Sequence, residues 1–251
     1  MTEKPLSGRI ALVTGASRGI GYESALALAQ AGAHVVAVAR TQGGLEELDD
    51  AIFKATGEHV TLVPLDLAEG DGLDQLGGVI HQRFGRLDIL LHAGAMLGGL
   101  TPVSHMDVKQ WDRVVAVDYS ATFRLIRSFE PLLRAAPTGR AIFLTSGVAS
   151  RPRAFWGPYA AAKAGMEALV RCWADEVENS QIRAVIVDPG RMRTNIINSL
   201  WVSYASNNIR REHIRITRSD GVKVRVVYEV RKPWVGNLDI VGKFEKSTTL
   251  H

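Results

Sequence analysis

The stretch Thr14–Gly21, TGASRGIG, separates a short apolar run from a helical pattern. The run before it, IALVT, has the composition of a buried strand, and the residues after it place apolar side chains at helical spacing. Within the stretch, Gly15 permits a tight turn, Gly19 lets the backbone approach a pyrophosphate, and Gly21 lets helix pack closely on strand. The helix then offers free N–H groups and its positive dipole end to phosphate oxygens. The stretch therefore predicts a dinucleotide-binding crevice.

Strand and helix patterns alternate outward from this stretch until about residue 188. The predicted strands are RIALVTG, HVVAVAR, HVTLVPLDL, LDILLHAGA, RAIFLTS and IRAVIVDPG. Two helices are expected over roughly 107–135, with Pro131 at a break or a helix start, and a long helix over about 159–179. Continuous apolar strands alternating with helices predict an α/β, Rossmann-type, doubly wound parallel sheet with helices on both faces.

After Thr194 the alternation of strand and helix patterns stops, and no helical pattern follows. HIRIT and VKVRVVYEV flank an Asp220-Gly221 turn signal, which predicts an antiparallel β-hairpin, and LDIVGKF is a candidate third strand. Residues 199–251 carry ten Lys/Arg and five Asp/Glu, whereas the whole chain has a net charge of +4. The basic excess thus lies in this segment. We expect a dinucleotide-binding domain over 1–198, followed by an atypical basic, β-rich segment over 199–251.

Composition argues against several classes of protein. The near-neutral body disfavours a nucleic-acid partner, because a uniformly basic domain is typical of phosphate-backbone binding. No run of about 18 apolar residues predicts a membrane span. The start of the chain, MTEKPLSGRIALVTG, does not have the pattern of a signal peptide. The lone cysteine, Cys172, permits no intrachain disulfide, fits a cytoplasmic location, and is expected to be a core or half-buried thiol.

Two arginines favour NADP(H) over NAD(H). The second strand ends in VAVAR, where an NAD-specific site would place an acidic residue for the ribose 2′-hydroxyl. This chain has Arg40 there, and Arg18 lies within the glycine loop. Two guanidinium groups can clamp a 2′-phosphate. The alternative is two solvated surface arginines.

A serine, a tyrosine and a lysine follow the fifth predicted strand at Ser146, Tyr159 and Lys163. Tyr159 and Lys163 are four residues apart and share one helix face. The lysine charge is expected to lower the pKa of Tyr159, which could then exchange a proton with a carbonyl or hydroxyl oxygen. Ser146 would hydrogen-bond the same oxygen. A chance arrangement is the alternative, since Tyr-x-x-x-Lys alone is common.

With these motifs, the chain resembles the classical short-chain dehydrogenase/reductase family from about Leu6 to Thr194. Within that family it is most similar to bacterial oxidoreductases related to 3-oxoacyl-carrier-protein reductases. The resemblance implies hydride transfer between NADP(H) and a small carbonyl or alcohol substrate. It implies catalytic roles for Ser146, Tyr159, Lys163 and Asp118, no metal, and possible homo-oligomers. It implies cofactor contacts from Thr14, Gly15, Ser17, Arg18, Gly19, Ile20, Gly21, Arg40, Asp66, Leu67, Ala93, Gly94, Tyr159, Lys163, Pro189, Gly190 and Thr194.

The sequence departs from the family pattern in three places. His92 stands where the family has an asparagine, and Asp118 stands where the family's helix asparagine supports a water chain to the lysine. Beyond Thr194 the expected crossover helix and seventh strand are not legible. VRVVYEVRKPWVGNLDIVGKFEKS instead resembles the end of a small bacterial membrane-anchored domain of unknown function.

The C-terminal segment leaves alternatives open. It could come from a fusion or chimera, be a divergent lid over the substrate cleft, or be an added basic binding module. The whole chain could accordingly be an active NADP(H)-dependent enzyme or a cofactor-binding fold with weak or lost catalysis. A third hypothesis is binding of nucleic acid or an anionic surface through the basic segment.

Overall fold

The computed structural model describes residues 4–190, 214–218, 222–233 and 239–250. The chain divides into two compact units, Met1–Ile196 and Ile197–His251. Across the described ranges, no helix is both long enough and apolar enough to cross a membrane.

The first unit is built around one parallel sheet of six strands. Its strands are β1 (Ile10–Thr14), β2 (His34–Ala39), β3 (Thr61–Pro64), β4 (Ile89–His92), β5 (Arg140–Leu144) and β6 (Arg183–Val187). Its helices are α1 (Gly19–Gln30), α2 (Gln42–Thr56), α3 (Gly70–Phe84), α4 (Val108–Val115), α5 (Ala121–Ala135) and α6 (Gly157–Glu176). The strand order is β3-β2-β1-β4-β5-β6, and every pairing is parallel. The predicted Rossmann-type sheet is therefore confirmed.

Helices cover both faces of the sheet because successive strand residues point to opposite sides. In β1, Leu12 belongs to a buried cluster that includes side chains of α3, α5 and α6. Its neighbour Val13 belongs to a second buried cluster, which includes side chains of α1 and α2. The strand order reverses between β1 and β4, and in open α/β sheets ligands bind at the carboxyl ends of the strands at such a point.

Two details of the helices differ from expectation. Pro131 lies inside α5 and does not end it. The helical region is instead divided by a π turn over Ala116–Ser120, which joins α4 to α5. Cys172 is exposed rather than buried, because it lies on the outer side of α6.

Strand β6 is the outermost strand of this sheet, and one of its faces is open. Val185 is 48% exposed and Val187 is 39% exposed. Ala184 and Ile186, on the opposite face, pack against the cluster that contains α6. Within the described residues no helix packs on the face of β6 that carries Val185 and Val187. The sequence departs from the family pattern a few residues after this strand, beyond Thr194.

The second unit contains three described strands, β7 (Ile214–Arg218), β8 (Val222–Pro233) and β9 (Asp239–Leu250). They form a separate sheet in the order β7-β8-β9, and both pairings are antiparallel. In the register of the first pairing, Val224 lies opposite Ile216; in the second, Tyr228 lies opposite Phe244. The predicted Asp220-Gly221 turn lies outside the described residues.

Candidate active site

The glycine loop forms a cradle that has no room for side chains. Gly15 has a φ of 69°, and a Cβ atom built on it would lie 2.7 Å from the backbone N of Gly94. A Cβ atom on Gly21 would overlap the carbonyl group of Gly15. Gly19 also has a positive φ, 59°. The backbone of β1, the first turn of α1 and the residues after β4 therefore approach one another more closely than any other residue type would allow.

The start of α1 is open to an anion. Arg18 is its N-cap residue, and its side chain makes no capping hydrogen bond, so the first N–H groups keep their donor capacity. Arg18 and Arg40, which directly follows β2, are both exposed. Ser17 and Ile20 are half-buried in the same loop. This arrangement fits a phosphate group, since the N–H donors at the start of α1 and two exposed arginines lie at the carboxyl ends of the adjacent strands β1 and β2.

Replacing Gly15 tests whether the cradle depends on close approach. Gly15→Ala is expected to lower the unfolding free energy by roughly 3 kcal/mol or more and to prevent nucleotide binding, because backbone strain adds to overpacking. Gly57 is a matched control: its φ is 80°, and a Cβ atom there would meet nothing within 4 Å. Gly57→Ala should lose only about 1–2 kcal/mol. Urea unfolding and nucleotide titration measure both effects, and equal losses in the two variants would contradict the close-approach explanation.

A buried hydrogen-bond network joins β1 to β4 beneath the cradle. The Thr14 hydroxyl lies 2.7 Å from His92 Nδ1 and accepts the Gly94 N–H at 3.3 Å. The hydroxyl can therefore donate to Nδ1, which leaves the ring proton on Nε2, a buried atom with no hydrogen-bond partner among the described residues. Burial, assisted by the positive charge of Lys163, lowers the pKa of His92 to about 3. His92 is thus a neutral link between the two strands.

Asp66, which is expected to lie at the adenine, forms an ion pair and a backbone hydrogen bond within the chain. Its Oδ2 lies 2.5 Å from Arg113 Nη2, and its Oδ1 accepts the Ala68 N–H at 3.0 Å. Partial burial alone would raise the pKa of Asp66, but the Ala68 bond and the charges of Arg113 and Arg40 outweigh burial and lower it. Arg113 was not identified from the sequence, because it lies 47 positions away and no motif relates the two residues.

The remaining expected cofactor residues occupy the same edge. Leu67 is buried and would contact a Cβ atom on Gly94, while Ala93 donates its N–H to the Thr14 carbonyl at 3.3 Å. Pro189 and Gly190 follow β6 at the far end of this edge, and Gly190 has a φ of 67°. Thr194 lies outside the described residues.

Ser146, Tyr159, Lys163 and Asp118 converge from three elements. Ser146 lies two residues after β5 and hydrogen-bonds the side chain of Tyr159. Tyr159 lies in the first turn of α6, and Lys163 lies one turn later with its Nζ 5.9 Å from the centre of the Tyr159 ring. Lys163 is 2% exposed and donates to the Leu144 carbonyl at 3.0 Å. This bond fixes the ammonium group between β5 and α6.

The pKa of Tyr159 is raised in the structure, whereas the sequence predicted that Lys163 would lower it. Burial raises it to about 12, and the negative charge of Asp118 acts in the same direction, whereas the bond to Ser146 opposes them. Burial also lowers the pKa of Lys163, although Asp118 favours its charged form. The expectation failed because it weighed the lysine charge but not the loss of hydration on both side chains.

Asp118 is directed into the interior by the π turn. It is fully buried, and its Oδ1 accepts the Met96 N–H at 2.8 Å, while its Oδ2 has no hydrogen-bond partner in the described part of the chain. Burial raises the pKa of Asp118 to about 6, although the charge of Lys163 opposes this change. The residue therefore titrates much closer to neutral pH than an ordinary aspartate.

Metal ligation finds no support in the part of the chain that the structure describes. Across those residues, no group of three or more His, Cys, Asp or Glu side chains is placed to hold a metal ion.

A dinucleotide-type glycine cradle at the switch point of a parallel sheet, with serine, tyrosine and lysine beside it, defines the class of short-chain oxidoreductases. A family profile described as short chain dehydrogenase matches residues 9–204, and the chain belongs to this family. The resemblance seen in the motifs is thus confirmed. A second profile, a domain of unknown function named DUF4845, matches residues 177–244, which agrees in part with the resemblance of the C-terminal segment.

Similar proteins support the family assignment. The oxidoreductase YciK of Escherichia coli is 36% identical over 191 residues, which cover 75% of each chain. A solved short chain dehydrogenase from Shigella flexneri, complexed with NADP, has a TM-score of 0.76 and 34% identity, covering 80% of this chain and 85% of its own. One from Escherichia coli, complexed with NADPH, has a TM-score of 0.76 and 35% identity, covering 81% and 85%.

Proposed function

We propose that the chain is an NADP(H)-dependent oxidoreductase that reduces a carbonyl group to an alcohol, or catalyses the reverse reaction. The convergence of Ser146, Tyr159 and Lys163 beside the glycine cradle carries this proposal. Bound NADP(H) would supply the hydride chemistry. The crystallised relatives that contain NADP and NADPH support the choice of cofactor.

The chain's own residues would bind this cofactor through backbone and charge. Gly15, Gly19 and Gly21 would admit the pyrophosphate to the start of α1. Arg18 and Arg40 would hold a 2′-phosphate, since both are exposed near the carboxyl ends of β1 and β2. Asp66 and Leu67 would border the adenine, with Arg113 fixing the Asp66 carboxylate.

The proton would move through Tyr159. Burial raises the pKa of Tyr159 to about 12, so the phenol is protonated at neutral pH and holds the proton that a carbonyl oxygen would receive. The raised pKa also makes the phenol a weaker acid, so proton transfer needs a nearby positive charge that favours the phenolate. Ser146 would hydrogen-bond the same oxygen as negative charge develops there. Lys163, whose Nζ is held by the Leu144 carbonyl, would in its protonated form favour the phenolate that remains.

A coupled assay tests this function. Purified chain mixed with NADPH and a panel of ketones and aldehydes should consume NADPH, followed by its absorbance, and should form the matching alcohols. The panel should also be run with NADH, which we expect to support much slower turnover. NADPH binding without consumption on any member of a broad panel would favour the alternative of a cofactor-binding protein with weak or lost catalysis.

Asp118 is expected to make stability depend on pH in an unusual direction. Because its pKa in the folded chain is raised above the ordinary 3.8 to about 6, the folded state binds the proton more tightly. Its contribution to stability is full below about pH 3.8 and is lost as the pH rises through 6. Asp118→Asn should therefore gain stability over the unmodified chain between pH 4 and 7, by up to about 3 kcal/mol at pH 7.

Urea unfolding at several pH values measures this difference. Asp71→Asn is the control, because the Asp71 side chain is 98% exposed and its 3.8 Å ion pair with Arg124 lies at the surface, so the replacement should change stability only slightly. Parallel stability curves for Asp118→Asn and the unmodified chain would contradict the raised pKa.

The C-terminal segment is proposed to be a separate domain over residues 199–251, built on an antiparallel hairpin. The division of the chain after Ile196 supports this boundary, whereas the DUF4845 match begins earlier, at residue 177. We propose no nucleic-acid or membrane partner, a cytoplasmic location and a homo-oligomeric state. The exposed apolar side chains of Val108 and Trp111, both on α4, support self-association.

A further inference from the structure

Phe155 has a backbone conformation that does not suit its side chain. Its φ is 73°, and within the described residues every other positive φ belongs to a glycine. The left-handed region is unfavourable for residues with a Cβ atom, and bulky side chains rarely adopt it. Strain of this kind persists where the surrounding structure imposes it, and it is concentrated at functional sites.

Burial does not explain this strain. The Phe155 side chain is 54% exposed, so its ring gains little from the hydrophobic core. A glycine or asparagine would adopt the same backbone without this penalty and without exposing an aromatic ring to water. The described structure thus gives no folding advantage to phenylalanine at this position.

Phe155 lies close in sequence to residues of the proposed active site. It lies four residues before Tyr159 and directly before Trp156, whose ring centre is 6.2 Å from that of Tyr159. Trp156, Leu97 and Ala95 pack against a small cluster that contains Val148, Tyr159 and Ala160. The surroundings of the Tyr159 ring are therefore apolar and include an aromatic side chain.

We propose that Phe155 is a specificity-determining residue that selects carbonyl compounds with an aromatic group next to the reacting carbon. The proposal rests on the proposed function, because it takes Tyr159 as the residue that meets the carbonyl oxygen. A flat ring of the substrate would contact the exposed Phe155 ring, in the stacked or edge-to-face geometry that aromatic pairs prefer. The same contact would bury the apolar surface that the free chain exposes.

Three variants separate aromaticity from strain. Phe155→Leu keeps an apolar side chain and the strained backbone but removes the aromatic face. Phe155→Asn removes the aromatic face and relieves the strain, because asparagine tolerates a positive φ. Phe123→Leu is the matched control, since Phe123 is 50% exposed but lies on α5.

The probes are acetophenone and cyclohexyl methyl ketone, which have similar size but differ in aromaticity. The kcat/KM ratio with NADPH and the binding of each ketone by saturation-transfer NMR are both measured. We expect a preference for acetophenone that falls roughly tenfold in Phe155→Leu and Phe155→Asn and stays unchanged in Phe123→Leu. Phe155→Asn should also unfold at a higher urea concentration than the unmodified chain.

The kcat/KM ratio and the binding of the ketones together distinguish the role proposed for Phe155 from the proposed oxidoreductase function. If the ketones bind with the expected preference but neither is reduced, the selectivity of Phe155 stands and the proposed function fails. If both are reduced and both Phe155 variants keep the original preference, the proposed function stands and the role of Phe155 is overturned. An unmodified chain that binds both ketones equally would also overturn it.

Discussion

Tyr159→Phe should lower the turnover of any carbonyl substrate by roughly 10³-fold, within the range that general acid catalysis contributes. The change removes the hydroxyl that would donate the proton and leaves the ring in its apolar cluster. That cluster holds the ring by contacts with Val148, Ala160 and Trp156 rather than through the hydroxyl, so the fold should be retained. The hydroxyl has one described side-chain partner, Ser146.

NADPH consumption under saturating cofactor measures this effect. NADPH affinity should change little, which separates a loss of proton transfer from a loss of binding. Tyr119→Phe is the control, because Tyr119 is 39% exposed, whereas its neighbour in the π turn, Asp118, is buried and belongs to the proposed site. A Tyr159→Phe variant that keeps most of its activity would remove Tyr159 from the mechanism.

Replacing both Arg18 and Arg40 with alanine should weaken NADPH binding by at least about 100-fold and leave NADH binding almost unchanged. Each hydrogen bond to a charged group contributes roughly 1.5–3 kcal/mol, and about 1.4 kcal/mol corresponds to a factor of ten. The effect should be specific to the 2′-phosphate, since both side chains are exposed and neither forms a hydrogen bond or ion pair within the described residues. The charge of Arg40 acts on Asp66 only at longer range.

A charge-matched control excludes a general electrostatic cause. The double variant Lys54→Ala, Lys109→Ala also removes two positive charges, but from exposed positions on α2 and α4. This control should weaken NADPH binding only slightly at physiological ionic strength, because distant surface charges are screened. Equal losses of NADPH and NADH affinity in the arginine variant would show that the arginines do not read the 2′-phosphate.

The sheet and its glycine loop could be predicted because their signals are local. The strand run IALVT and the spacing of Gly15, Gly19 and Gly21 each follow from backbone geometry within one turn of chain. The π turn at Ala116–Ser120 could not be predicted, since nothing local distinguishes it from an ordinary helix. The Pro131 expectation failed because α5 runs through the proline despite its missing N–H.

The electrostatics of the site could not be predicted, because they depend on contacts between residues that are far apart in the sequence. The pairing of Asp66 with Arg113 and of Thr14 with His92 joins residues far apart in the chain. The pKa of Tyr159 depended on burial, which outweighed the nearby lysine that the sequence made visible. The exposed face of β6, which carries Val185 and Val187, also became visible only in the structure, although the sequence showed that the family's later elements are not legible after Thr194.

The most direct test is a titration of the unmodified chain with NADPH and, separately, with NADH, followed by nicotinamide fluorescence. We expect saturable NADPH binding, with NADH weaker by at least about tenfold, because Arg18 and Arg40 would contact only the 2′-phosphate. Such a result would support an intact cradle at the β1 and β4 edge and justify the substrate panel. Failure to bind either nucleotide would contradict the assignment of this site to NADP(H), and equal binding would contradict the role of the arginines.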